Sequence, residues 1–379
     1  MMARPTVIQR VSYRDLSYQQ FFERHLKDNE PIIITDLIDD WVARHLWNGH
    51  PDLDWLREHY GRLTAPAAEC SVDYGGGKRR ECQVSDYISY WKCLIDRRNG
   101  IEPTLQSSFY LDGPLYYLKD WHLSKQLPPC DGFYSVPIYF QEDWINLYWD
   151  RLHVDDYRFV YMGPRGTYTP LHCDVFGSYS WSTNVCGIKR WILFPKGEEQ
   201  YFTDANGHTL RDVFGWDRER FPDFEKAKRF EVVQRGGETI FVPSGWYHQV
   251  MNEEDTISIN HNWGNGANVE SFWWYISHQL ELVERELSDV KSGMTAEEWY
   301  ETCQMVLRSN IGIDHMMFIR YLNTAAEDLK GREGKEGEMN GEDILKFQME
   351  AIRRVLVQMK ENCAEEMREA LTSLEDVIK

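Results

Sequence analysis

None of the eight cysteines, at positions 70, 82, 93, 130, 173, 186, 303 and 363, forms a CxxC pair with another. That excludes the usual zinc-ribbon and dithiol signatures, and the spacing is too sparse for a disulfide framework. Reduced thiols are therefore expected, in an intracellular protein that is cytoplasmic with the nucleus left open. The opening MMARPTVIQR lacks the apolar core of a signal sequence, and no apolar run reaches the length of a membrane span. Basic charge is scarce too: 42 Lys and Arg stand against 61 Asp and Glu, a formal net charge of -19. Such a surface serves a phosphate backbone poorly, so a nucleic-acid partner is disfavoured and a basic protein partner suits the chain better.

What the 379 residues do carry is apolar bulk, 42% of the chain, with fifteen tryptophans among 14% aromatics. That is enough for one large domain or two modest ones around a rigid core. Residues 1–150 read as mixed α/β elements packed on a barrel. EPIIITDL is a buried strand, DWVARHLW and PDLDWLREHYG are short helices, residues 84–98 form a longer helix, and PLYYLKDW is a strand entering a loop. Residues 151–266 hold a succession of short strands with glycine corners, which predicts an antiparallel barrel or double sheet. Within them, residues 197–222 read as a polar insertion. Residues 267–330 are helical, with Thr295 and Glu298 as a capping box. Residues 331–341, GREGKEGEMNG, read as a linker, and residues 342–379 as a C-terminal helix. Its apolar positions Leu345, Met349, Ile352, Leu356, Met359, Cys363, Met367, Leu371 and Leu374 form a seam. That seam fits packing on the parent domain and a homodimer equally well.

The chemistry concentrates in TPLHCDVFGS. Alternate residues of a strand share a face, so His172 and Asp174 project together while Cys173 faces away. A carboxylate inside a barrel is costly unless it is paired or bound to a metal. His248, in VPSGWYHQV, supplies a third ligand from the other half of the barrel. Two histidines and a carboxylate are the donor set that holds Fe(II) with three positions open, enough for a bidentate 2-oxo acid and dioxygen. HxD alone is a weak signal, since such pairs are commonly structural hydrogen bonds. Lys189, on the next-but-one strand, strengthens it, because a lysine inside an apolar barrel needs an anion. The distal carboxylate of 2-oxoglutarate would serve, with Thr169 and Tyr116 as hydroxyl donors.

These residues, with EPIIITDL, PLYYLKDW, SWSTNVCGIKRWILFP, GGETIFVPSGWYHQV and TISINHNW, make the chain resemble the jumonji-C 2-oxoglutarate oxygenases over residues 30–266. The resemblance implies a double-stranded β-helix of the cupin type, a mainly β core with flanking helices and a C-terminal helical region. It implies His172, Asp174 and His248 as iron ligands, and Lys189, Thr169 and Tyr116 as holders of the 2-oxoglutarate tail. Asn260 and Asn262 fall where the family keeps polar residues near the cosubstrate. Ser182 stands where related hydroxylases often carry asparagine, with Asn184 two positions on.

The carboxylate is aspartate where the family's demethylases more often use glutamate, which tilts the resemblance to hydroxylation. The runs SWSTNVCGIKRWILFPKG and YLKDWHL are most similar to members that hydroxylate a lysine of the eukaryotic translation release factor. Fe(II), 2-oxoglutarate and dioxygen are the implied cofactors. Tyr168, Phe176, Tyr179 and Trp246 are candidate pocket walls, and the insertion is a candidate recognition element. The alternatives are another protein residue or an RNA base as substrate, or a cupin-like binding protein without turnover.

Overall fold

The computed structural model describes residues 7–46, 49–70, 78–127, 133–332, 342–361 and 364–379. Its strands, in chain order, are β1 (Gln9–Ser12), β2 (Ile32–Thr35), β3 (Thr64–Glu69), β4 (Arg79–Gln83), β5 (Tyr116–Trp121), β6 (Arg158–Gly163) and β7 (Tyr168–Cys173). They continue with β8 (Tyr179–Cys186), β9 (Ile188–Phe194), β10 (Phe230–Arg235), β11 (Thr239–Val242), β12 (Tyr247–Asn252) and β13 (Thr256–Trp263). Nine form a large sheet in the order β1-β2-β11-β8-β13-β6-β5-β3-β4, and four form a small one in the order β10-β9-β12-β7. Apart from the parallel β1–β2 pair, neighbours run antiparallel. This is the opposed-sheet architecture expected of the double-stranded β-helix.

Alternation along each strand assigns its faces. Val160, Met162, Trp181, Ile257, Ile259 and Trp263 of the large sheet turn outward into the main core, against Tyr87, Tyr90 and Trp91 of the Val84–Arg98 helix. Ile33, Ile240 and Val242 turn inward instead. There they meet Trp191, Leu193, Phe230, Val232, Trp246 and Val250 as an apolar plug at one end of the interior. Five of the nine large-sheet strands precede residue 150. The expected boundary therefore does not separate a barrel from elements packed on it: the N-terminal strands extend the barrel's own sheet. Their backbone groups need partners, and an open sheet edge supplies them.

The capping box at Thr295 and Glu298 has both of its hydrogen bonds. The C-terminal seam is spent inside the chain. Met349, Ile352, Leu356, Met359, Met367, Leu371 and Leu374 are all buried in one cluster with the Val269–Glu286, Ala296–Ile311 and His315–Arg332 helices. Burial in this cluster takes up the seam that suggested a homodimer. The region is also two helices, Glu342–Glu361 and Arg368–Ile378, rather than one. Gly331 and Arg332 of the expected linker belong to a helix; its remainder, Cys130, Cys363 and residues 1–6 lie outside the described residues. Arg332 pairs with buried Glu142, which also accepts from Gln348, tying the terminal helices to the barrel.

Candidate active site

The two histidines meet because of register. β12 pairs antiparallel with β7 so that His248 lies directly opposite His172, and their ring centroids are 4.2 Å apart. Asp174 lies just past the end of β7, where the chain enters the Val175–Gly177 turn through Phe176 at φ 59. Asp174 itself is still extended, at φ -64 and ψ 152, which keeps it on the face of His172. Its Oδ2 is 3.9 Å from His248 Nε2, too long for a hydrogen bond and suited to a shared third atom. One ligand atom from each of the three residues lies within 4.8 Å of the others.

The ring nitrogens are oriented for this. His172 Nδ1 is 2.8 Å from the Pro170 carbonyl oxygen, and His248 Nδ1 is 3.2 Å from that of Trp246. A carbonyl only accepts, so each Nδ1 carries the proton and each Nε2 keeps a free lone pair. His172 is pushed down to about 4 by burial and then by neighbouring His248, although Asp174 opposes the shift. It is a neutral ligand at physiological pH. Asp174 Oδ2 is buried and has no hydrogen-bond partner among the described residues. Two free imidazole lone pairs and an orphaned carboxylate oxygen fit Fe(II) and leave room for further ligands.

The surrounding cavity encloses about 460 Å³ of empty space, including its mouth, and is lined by Tyr117, Tyr161, Thr169, Trp181, Lys189 and Trp191 among others. Lys189 is 2% exposed, and among the described residues it has no ion-pair partner. Its Nζ donates to the Tyr117 hydroxyl at 3.1 Å. Burial pushes the ammonium down to about 7. A buried cation with one neutral partner is costly, and a ligand carboxylate would relieve that cost.

Most of the expected site residues converge on this cavity. Thr169, His172, Asp174, Lys189, His248, Asn260 and Asn262 all line it. Asn260 and Asn262 share one face of β13, and each amide donates to a serine hydroxyl, Ser258 and Ser178. His261 between them is buried, stacks on Trp181 and pairs with the Tyr134 hydroxyl, so it is structural.

Tyr116 is a correction. Its hydroxyl donates to Glu69 at 2.9 Å, and its ring packs on Phe109 and Tyr90. Leu118 belongs to the outer core, which fixes the phase of β5 and carries Tyr116 outward with it. Tyr117, one residue on, is the tyrosine that meets Lys189. Of the aromatics that fitted either a pocket wall or the core, Phe176, Tyr179 and Trp246 are core. Phe176 packs on Trp149 and Phe272, the Tyr179 hydroxyl donates to the Leu26 carbonyl, Trp246 sits in the plug, and Tyr168 is not on the cavity. Tyr161 and Trp191 were missed. The signal for Tyr161 was available, because Val160 and Met162 are the apolar phase of RFVYMGP and leave Phe159 and Tyr161 facing in. Ser182 lines the cavity, whereas Asn184 donates to the Gly187 carbonyl and supports the β8–β9 turn.

The insertion after β9 is a small folded cap. Phe202, Leu210, Val213, Phe221 and Phe224 bury Leu171, Ile192 and Phe194 on the outer face of the small sheet. It covers the side of that sheet opposite the cavity.

A family model described as a cupin-like domain matches residues 18–268. The chain is 43% identical over 321 residues to the Gallus gallus 2-oxoglutarate and iron-dependent oxygenase JMJD4, covering 82% of this chain and 72% of that protein. It is 40% identical over 320 residues to the Homo sapiens protein of that name, covering 82% and 74%. An Arabidopsis thaliana protein named arginine-specific demethylase JMJ20 is 36% identical over 337 residues, covering 83% and 69%. With this domain, these relatives and a pocket suited to a metal and an anionic tail, the chain belongs to the cupin-like jumonji-C family of 2-oxoglutarate- and iron-dependent oxygenases.

Proposed function

We propose that this oxygenase hydroxylates a lysine side chain of a protein, with the translation release factor as the substrate to test first. His172, Asp174 and His248 hold Fe(II), and Lys189 with Tyr117 and Thr169 anchors the distal carboxylate of 2-oxoglutarate. The observation that carries the assignment is the pairing of an orphaned Asp174 oxygen and two free Nε2 lone pairs with an unpaired buried Lys189 in one cavity. Bound iron with 2-oxoglutarate and dioxygen supplies the oxidation that inserts one oxygen atom into a C–H bond and releases succinate and carbon dioxide. The chain's own part is positioning. The Nδ1–carbonyl contacts fix both rings, Trp191 and Val250 exclude water from the metal side, and Asn260 and Asn262 offer amide groups to whatever ligand sits beside Lys189.

Lysine as target draws on Asp174 in place of glutamate and on the runs SWSTNVCGIKRWILFPKG and YLKDWHL. A second reading is favoured by the name of the Arabidopsis relative: removal of a methyl group from arginine, which the same C–H oxidation would accomplish. The test is 2-oxoglutarate turnover with release-factor and methylarginine peptides, read by succinate and by peptide mass. A one-oxygen gain on lysine supports the proposal, and loss of a methyl from arginine supports the second reading. Equal peptide-dependent succinate from wild type and His172→Ala would exclude this site as the source.

A further inference from the structure

The proposed substrate side chain is cationic, yet the cavity's own carboxylate, Asp174, is committed to the metal. A cation entering a cavity shielded from bulk solvent needs a counter-charge. Among the described lining residues, Tyr161 alone is bonded to another carboxylate: its hydroxyl donates to Asp120 Oδ1 at 2.5 Å. We propose that Asp120, presented through Tyr161, is the counter-ion that selects a cationic substrate side chain. This rests on the reading of a protein side chain such as lysine as the substrate.

Several independent observations converge on Asp120. It adopts φ 57, the left-handed region that non-glycine residues rarely occupy, in the irregular stretch of β5 between Leu118 and Trp121. Backbone strain of this kind persists where its surroundings hold it, and it recurs where a side chain must be aimed at a ligand. The departure from alternation turns Asp120 to the side of Tyr161, away from the outer core that takes Leu118 and Trp121. Tyr161 lines the cavity and stands edge-on to Tyr117, the partner of Lys189, so Asp120 sits one hydrogen bond behind the cavity wall. The Tyr161 hydroxyl is held well above its ordinary value by burial first and then by the charge of Asp120, with Asp174 contributing, so it stays a donor.

Among the described residues Asp120 has one ionic partner, Arg79 Nη1 at 3.2 Å. That arginine side chain is 53% exposed, and the pair is screened by solvent. A substrate ammonium can take its place at little cost, because Arg79 returns to water.

The test is binding to the holoprotein loaded with Mn(II) and 2-oxoglutarate, read by competition with matched peptides carrying lysine, methylarginine or norleucine at one position. Wild type is expected to bind the cationic peptides at least tenfold more tightly than the norleucine peptide. Asp120→Asn should abolish the difference, and Asp120→Glu should restore part of it. 2-Oxoglutarate affinity, measured in each variant, reports that the fold survives. A cation preference retained by Asp120→Asn, or none in wild type, would overturn the proposal. If wild type prefers cations through Asp120 but oxidises methylarginine and not lysine, the lysyl reading falls while the role of Asp120 stands.

Discussion

On the outer face of the small sheet, Leu171, Ile192 and Phe194 disappear beneath the insertion's aromatic and aliphatic side chains. On its inner face, the residues one step along the same strands are His172, Trp191 and, toward the far end of β9, Lys189. One face is closed and satisfied. Among the described residues, the other holds a carboxylate oxygen without a hydrogen-bond partner, two free imidazole lone pairs and an ammonium bonded only to a neutral hydroxyl. The pleat puts both sets on the same backbone, so the apolar face can stabilise the strands that carry the costly one. The lesson is that this site's precision is maintained from behind.

The comparison can be broken from either side. The largest effect is expected outside the cavity: Phe202→Ala, at a fully buried position, should cost about 3–5 kcal/mol of stability. The folded fraction should keep its 2-oxoglutarate affinity. Urea unfolding and calorimetric titration check both halves.

Lys189→Met should do the opposite. Removing a buried cation should raise the stability of the ligand-free protein by about 1–3 kcal/mol. It should weaken 2-oxoglutarate binding by about 30-fold or more, as loss of a buried charge pair does. A variant that loses both stability and affinity would mean that Lys189 is ordinary core.

Between the faces stands Gln249, next to His248 but pointing outward. It accepts from Val213 N–H at 2.9 Å and donates to Asp212 at 2.9 Å, joining the insertion to the strand of the ligand. Gln249→Leu would strand the Val213 N–H and leave Asp212 Oδ1 with the Phe214 N–H in place of two donors. About 1–3 kcal/mol of stability should be lost, and metal affinity should fall by about tenfold, the lower range for losing a residue that supports a ligand. Unchanged metal affinity would show that the insertion does not brace the site.

The smallest effect is a slope with pH. Lys189 is pushed down to about 7 by burial, and an anion binds its charged form. Below about 7 the ammonium is already charged and affinity should be flat. Above it a proton must be taken up, and affinity should fall about tenfold per pH unit. In the ligand-free protein the same group is least favourable below about 7, and its penalty fades as pH rises toward 10.5. Lys189→Met should lack both dependences.

Much of this was legible in the sequence because strand alternation is a local rule. It put His172 and Asp174 on one face and outlined Val84–Arg98 as a helix at its observed bounds, whereas Lys189 alone also fitted an exposed strand lysine and was read as buried because of the triad. Long-range phase was not legible. Choosing between Tyr116 and Tyr117 needs to know which side of β5 meets the core, and that depends on pairing with β3 and β6. The joining of the N-terminal strands to the large sheet is likewise decided by partners far along the chain. The positive φ of Asp120 and Phe176 escaped for another reason: neither is glycine, so no residue type announces the turn. The first of these turns aims Asp120 at Tyr161.

The most direct measurement is anaerobic titration of Fe(II) into the protein with 2-oxoglutarate, followed by the charge-transfer absorption that the chelated complex produces. One iron per chain is expected in wild type, with the absorption lost in His248→Ala and in Asp174→Ala while both variants remain folded. Full stoichiometry and an undiminished band in either variant would contradict the assignment of this triad.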